Sequence, residues 1–150
     1  VLREYLPILG NPDVLSKTIQ NVQAQYAGKR VVFSAYQADF TPWNMFVESG
    51  ELFVFDWEYA RLTYPPRLDY FHFLIQTSVF EKHYTPQEII KEIRKKQIDL
   101  KQKYNNNLFN LKCYLLSIIS IYLGREKETI SDNTKEHISL WINLLQQIEY

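Results

Sequence analysis

The chain has 150 residues, 46% of them hydrophobic and 15% aromatic, a length and composition that bury one core and exclude a disordered polymer. Seventeen Lys and Arg residues balance seventeen Asp and Glu, so no global field draws the chain to nucleic acid or to an anionic membrane.

The opening stretch VLREYLPILG starts without a methionine and carries a proline that interrupts a helix, as expected for the middle of a longer protein. Asn11 and Pro12 then read as a helix start, a capping side chain followed by an imino acid at the first helical position. Leu15, Ile19, Val22 and Tyr26 share one face of that helix, and Gly28 ends it. RVVFSAY, residues 30 to 36, reads as a short buried strand. NMFVES and ELFVFDW are two further strands on either side of Ser49-Gly50, a tight turn for an antiparallel pair.

Everything after Pro65-Pro66 reads as helix. One helix is announced by TPQE, in which Thr85 caps, Pro86 takes the first turn and Glu88 sits at capping-box spacing. Positions 89, 93, 100 and 104 are its apolar stripe, and its basic run, residues 91 to 103, reads as a solvated face rather than a phosphate-binding surface. Residues 108 to 123 are apolar nearly all round, which predicts a central helix. Its uninterrupted apolar length, broken by Lys112, falls short of the ~20 residues of a spanning helix. Cys113 lies within it and reads as a buried hydrophobe, since no local cation would activate its thiol, and a single cysteine excludes an internal disulfide. The last helix carries Ile138, Trp141, Ile142, Leu145 and Ile148 on one face. No repeat, linker or low-complexity tract divides the chain, so residues 1–150 are expected to form one domain, and with no charged leader before an apolar segment the expected setting is cytoplasmic.

The chemistry is concentrated in YQADFTPWNMFVESGELFVFDWE, residues 36 to 58. Neighbouring strands lie about 5 Å apart, so a hairpin that leaves at Asn44 and returns at Asp56 brings these two oxygen donors together. Magnesium takes few protein ligands and keeps water and phosphate oxygens for the rest, which such a pair suits. Asp39, five residues before Asn44, can then face a hydroxyl beside the metal, the arrangement of phosphoryl transfer to an alcohol.

QADFTPWNMFV followed by FVFDWEYA resembles the catalytic loop and metal-binding segment of the aminoglycoside phosphotransferase and choline kinase group, the kinase-like small-molecule phosphotransferases. Their pattern reads roughly H-G-D-x-x-x-x-N, a hairpin, then a hydrophobic residue and D-[WF]-E. The resemblance spans residues 12 to 80 in order and spacing, and the helical remainder agrees in kind. It implies an α+β fold, the mainly helical C-terminal lobe of a kinase, with a small antiparallel hairpin carrying the catalytic and metal-binding loops. It implies Asp39 as catalytic base and Asn44 and Asp56 as the ligands of magnesium on ATP, with Glu58 a further acid near the metal. Asp69, at the start of the next helix, would brace the catalytic loop.

The chain departs from the pattern where Gln37 and Ala38 replace His and Gly, and Gln37 would support the loop by hydrogen bonding alone. It also has only four glycines, at 10, 28, 50 and 124, and no Gly-rich hairpin with a strand lysine. The ATP lobe is therefore expected in the preceding part of a longer chain. The implied function is ATP- and magnesium-dependent phosphorylation of a small alcohol such as choline, ethanolamine, an aminoglycoside or a sugar. The alternative is a degenerate lobe kept as a binding or interaction module. For single residues the plain roles are a turn-capping Asp39, hairpin-end Asn44 and Asp56, an exposed ion-pairing Glu58 and a core or interface His72. Trp43, Trp57, Tyr59 and Tyr64 read as ordinary packing before a cage for a quaternary ammonium.

Overall fold

The computed structural model describes residues 2–5, 7, 9, 11–99, 107–126 and 129–149. Among the described residues the fold is mixed α+β and mainly helical. The chain falls into two compact units, one formed by Val1–Val31 with Pro86–Tyr150 and the other by Val32–Thr85.

The first unit is helical. It contains α1 (Leu2–Tyr5), α2 (Pro12–Tyr26), α4 (Pro86–Asp99), α5 (Asn107–Arg125) and α6 (Asp132–Glu149). As the apolar run predicts, α5 is central: it packs on α1, α2 and α6, while α6 also meets α2 and α4. Leu111, Tyr114, Leu115, Ile118, Ile119 and Leu123 are buried on α5, and Trp141 and Leu145 on α6. Each such side chain contributes about 1.5–3 kcal/mol relative to leaving it in water. Ile89 and Ile93 are buried on α4 as expected, while positions 100 and 104 of the same stripe lie outside the described residues. The exposed Lys91, Arg94 and Lys95 form the solvated face of that helix.

The start of α2 differs from expectation. Asn11 precedes Pro12 in the left-handed region, φ 55° and ψ 58°, and its side chain makes no capping bond. An N-cap residue needs extended backbone to turn its side chain onto the first-turn N–H groups, and this conformation points it elsewhere. Tyr26, near the helix end, packs edge-on against Phe109 with ring centres 5.1 Å apart.

The second unit holds four short strands and one helix: β1 (Ser34–Tyr36), β2 (Met45–Glu48), β3 (Glu51–Val54), β4 (Arg61–Tyr64) and α3 (Leu68–Phe80). They form two separate antiparallel pairs, β1 with β4 and β2 with β3. The β2–β3 hairpin is in the expected place, with Glu48 opposite Glu51 and Met45 opposite Val54. Its turn residues Ser49 and Gly50 both have positive φ, 52° and 83°, as a type I′ turn requires. Phe46 and Phe53 stack across the pair at 5.0 Å.

Two expectations fail here. The first strand is shorter and less buried than RVVFSAY suggests, because Val32 and Phe33 precede it and are exposed. A fourth strand, β4, occupies the segment before Pro65, pairing Tyr64 with Ser34 and Arg61 with Tyr36. Among the described residues every exposed large hydrophobic side chain, from Val32 to Phe80, lies in this second unit, with Val47 and Leu62 reaching 70% and 78% exposure.

Candidate functional site

Strand β1 ends at Tyr36 and delivers the chain to a loop whose backbone is fixed by α3. The carboxylate of Asp69, in the first turn of that helix, accepts the N–H of Gln37 at its Oδ2 and the N–H of Ala38 at its Oδ1, both at 2.9 Å. Burial pushes the Asp69 carboxyl above its ordinary value, although the Ala38 and Gln37 N–H groups and then His72 pull it down. The Tyr36 hydroxyl accepts the N–H of Arg67 and ties the helix start to the strand end.

Gln37 joins the two loops. Its Oε1 accepts the N–H of Asp39 at 2.8 Å, and its Nε2 donates to the carbonyl oxygens of Phe55 at 3.0 Å and Asp56 at 2.7 Å. The side chain is buried, and these three bonds satisfy an amide that would otherwise cost about 1–3 kcal/mol to bury. An amide suits the position because it offers an acceptor to one loop and donors to the other. Ala38, fully buried beside it, has φ 73°, a left-handed conformation that costs a residue with a Cβ about 1–2 kcal/mol and that glycine adopts freely.

Asp39 and Asn44 are brought together. Asn44 Nδ2 donates to Asp39 Oδ2 at 2.9 Å and to the Asp39 carbonyl at 3.0 Å. The 3-10 turn Pro42–Asn44 sets this up: the Asn44 N–H bonds the Thr41 carbonyl at 3.0 Å, and Thr41 Oγ1 donates to the Asp39 carbonyl at 3.3 Å. Because Nδ2 is committed to Asp39, Asn44 Oδ1 is the atom left to meet a hard cation. The Phe55 N–H donates to the Asn44 carbonyl at 3.1 Å, extending the hairpin ladder by one pair, so Asn44 stands opposite Phe55 and Asp56 follows one residue beyond. Asp56 is exposed with φ 58°, so the chain turns out of the strand at this carboxylate.

Glu58 lies in an exposed turn closed by Ala60 N–H on the Trp57 carbonyl at 3.0 Å, and its carboxylate forms no ion pair or hydrogen bond with Asn44 or Asp56. No group of three or more His, Cys, Asp or Glu side chains among the described residues could hold a metal by itself. The donors present are therefore one amide oxygen and one carboxylate, a set that fits magnesium carried on a polyphosphate better than an all-protein cage. A cavity of about 440 Å³ is lined by Tyr36, Gln37, Trp57, Arg61, Leu62 and Asp69, and neither Asp39 nor Asn44 lines it. It lies beside the Asp69 and Gln37 brace.

The four aromatic residues around the segment have separate partners. Trp43 meets Phe80 edge-on at 5.7 Å, Trp57 Nε1 donates to the Val54 carbonyl, and the Tyr64 hydroxyl donates to the Tyr59 carbonyl. His72 reads from the sequence as a core or interface histidine, and it is buried; its contact with Asp39 is what the sequence did not show. The imidazole is fully buried, but its Nε2 sits 3.2 Å from Asp39 Oδ1. Its spacing from Asp69 was the available signal, since residues three apart on a helix face the same way.

No protein-family model, curated protein or solved structure matches the chain. Among the described residues no helix is long and apolar enough to cross a membrane.

Proposed function

We propose that this chain is the C-terminal lobe of a kinase-like small-molecule phosphotransferase that moves the γ-phosphoryl group of ATP to an alcohol. The observation that carries the reading is the linked set Asp39, Asn44 and Asp56. Asn44 bonds the Asp39 carboxylate directly, and Gln37 ties the Asp39 loop to the backbone at Asp56. Pre-ordering of this kind suits phosphoryl transfer, in which positioning and charge stabilisation supply nearly all the rate enhancement.

In this reading Asp39 accepts the proton of the acceptor hydroxyl as its oxygen bonds to the γ-phosphorus and the bond to the bridging oxygen of ADP breaks. Asn44 Oδ1 and the Asp56 carboxylate would hold magnesium, whose charge offsets that of the triphosphate. The left-handed Ala38 occupies the position where the family pattern has glycine, and Gln37 supplies the loop-to-loop tie where the pattern has histidine. An upstream lobe completing the ATP cleft accounts for the apolar surface of the second unit, on which Phe46, Val47, Leu52 and Phe53 of the hairpin are all exposed. A two-stranded hairpin of this kind is marginal alone and gains from being covered.

One observation favours the second reading, a non-catalytic lobe serving as a binding module: both oxygens of Asp39 already have protein partners. Each carboxylate oxygen has two acceptor sites, however, so a hydroxyl can still bond there.

Manganese, a paramagnetic substitute for magnesium, tests the metal half of the reading. Added with ATP to the isotope-labelled protein, it is expected to broaden the signals of Asn44 and Asp56 first. Absence of selective broadening, with the protein folded and ATP in excess, counts against these ligands.

A further inference from the structure

His72 is an unusual occupant of its place. It lies on α3 between Phe71 and Phe73, and it is fully buried. An imidazole removed from water needs a partner to offset its lost hydration, and its Nε2 finds Asp39 Oδ1 at 3.2 Å. The other oxygen of the same carboxylate is bonded by Asn44 at 2.9 Å. Asp39 is thus held at both ends of its carboxylate, and about a quarter of its side chain remains exposed.

The same helix face does a second job. Asp69, three residues before His72, holds the backbone N–H groups of Gln37 and Ala38. One turn of α3 therefore fixes the loop twice, its backbone through Asp69 and the side chain of Asp39 through His72. We propose that His72 is a positioning residue for Asp39, donating from Nε2–H to Oδ1 so that the carboxylate plane is set before the acceptor alcohol arrives. This inference rests on the reading of Asp39 as the base of phosphoryl transfer. The donor assignment follows from the acceptor: an ionised carboxylate bonded by an amide N–H on one side accepts on the other as well. Fixing the plane matters because a misplacement of about 1 Å between reacting groups costs on the order of a hundredfold in rate.

Nitrogen-15 spectroscopy of the imidazole and of the Asn44 side-chain amide tests the geometry without any need for turnover. The proposal expects a protonated Nε2 on His72 at neutral pH whose signal shifts in Asp39→Asn. It also expects faster hydrogen exchange of the Asn44 amide in His72→Phe, because the carboxylate is then free to rotate, and recovery in His72→Gln, which restores an N–H donor. An unprotonated Nε2, or unchanged Asn44 exchange in a folded His72→Phe, overturns it. If His72→Phe does not fold, the His72→Gln protein and the wild-type imidazole spectrum still decide the matter.

The catalytic side is tested in the longest natural form of the protein with Mg-ATP and choline, ethanolamine, kanamycin and glucose as acceptors. His72→Phe is expected to lower kcat about a hundredfold, leave the KM for ATP unchanged, and be largely rescued by His72→Gln. Undiminished turnover in His72→Phe overturns the positioning role alone. No turnover in the wild type with any of these acceptors overturns the phosphotransfer reading and the catalytic purpose of the pair with it, whatever the spectra show.

Discussion

The carboxylate of Asp69 bonds the backbone N–H groups of both Gln37 and Ala38 at 2.9 Å, so the first turn of α3 holds the loop that carries Asp39. Removing the carboxylate leaves two N–H groups without their acceptor. Asp69→Ala is expected to cost about 3 kcal/mol in urea unfolding, and Asp69→Asn, which keeps one acceptor oxygen, about half that. Equal stability of Asp69→Ala and the wild type would remove the brace from the account.

Gln37 should be more sensitive to charge than to truncation. Its Nε2 faces the Phe55 and Asp56 carbonyl oxygens. Gln37→Glu keeps the acceptor for the Asp39 N–H but sets a buried negative oxygen against two carbonyls, whereas Gln37→Ala only deletes the bonds. The expected losses are about 2 kcal/mol for Ala and more than 3 for Glu, measured by thermal or urea unfolding. The reverse order would show that the amide is not oriented as described.

The hairpin turn offers a gain. Ser49 stands at the first central position with φ 52°, where asparagine adopts positive φ more readily than serine. Ser49→Asn, giving Asn-Gly, is expected to raise stability by about 0.5 kcal/mol with a small increase in Tm. No change, or a fall, would argue against a type I′ turn.

Alkaline pH reports on the helical unit. The Tyr26 hydroxyl lies 3.8 Å from Cys113 Sγ. Burial, with the Cys113 charge and hydrogen bond adding to it, pushes the Tyr26 phenol up from 10.0 to about 12. Burial likewise raises the Cys113 thiol. A folded pKa above the unfolded one contributes stability that is fully present below pH 10 and is lost as pH rises through about 12. The stability difference between wild type and Tyr26→Phe should therefore shrink over that interval, and the native thiol should react slowly with Ellman's reagent. A pH-independent difference would contradict the assignment.

How far the sequence reveals this arrangement depends on the range of the interactions involved. The Pro12 and Pro86 starts, the apolar run of α5 and the Ser49-Gly50 turn are local signals, and the elements stand where these place them. Strand β4 escaped because Arg-Leu-Thr-Tyr is four residues long, mostly exposed, and pairs with a strand nearly thirty residues earlier. Asn11 was misjudged because residue preference cannot report that the chain enters α2 in the left-handed region. The meeting of Asp39 and Asn44 is local, five residues apart across a tight turn, while His72 reaches Asp39 from 33 residues away. The one trace in the sequence is the three-residue spacing of His72 from Asp69, which puts both on one helix face.

In the proposed function Asp39 takes the proton of an alcohol while ATP donates its γ-phosphoryl group beside Asn44 and Asp56. The most direct measurement is magnesium-dependent phosphoryl transfer from ATP to a panel of small alcohols by the longest natural form, compared with its Asp39→Asn variant. The account predicts turnover with at least one alcohol and a loss of about 10²–10⁴-fold in the variant, which keeps a side chain of the same shape. Equal turnover by the two proteins, or none by a folded wild type that fails to bind Mg-ATP, would contradict it and leave the second unit as a scaffold for binding.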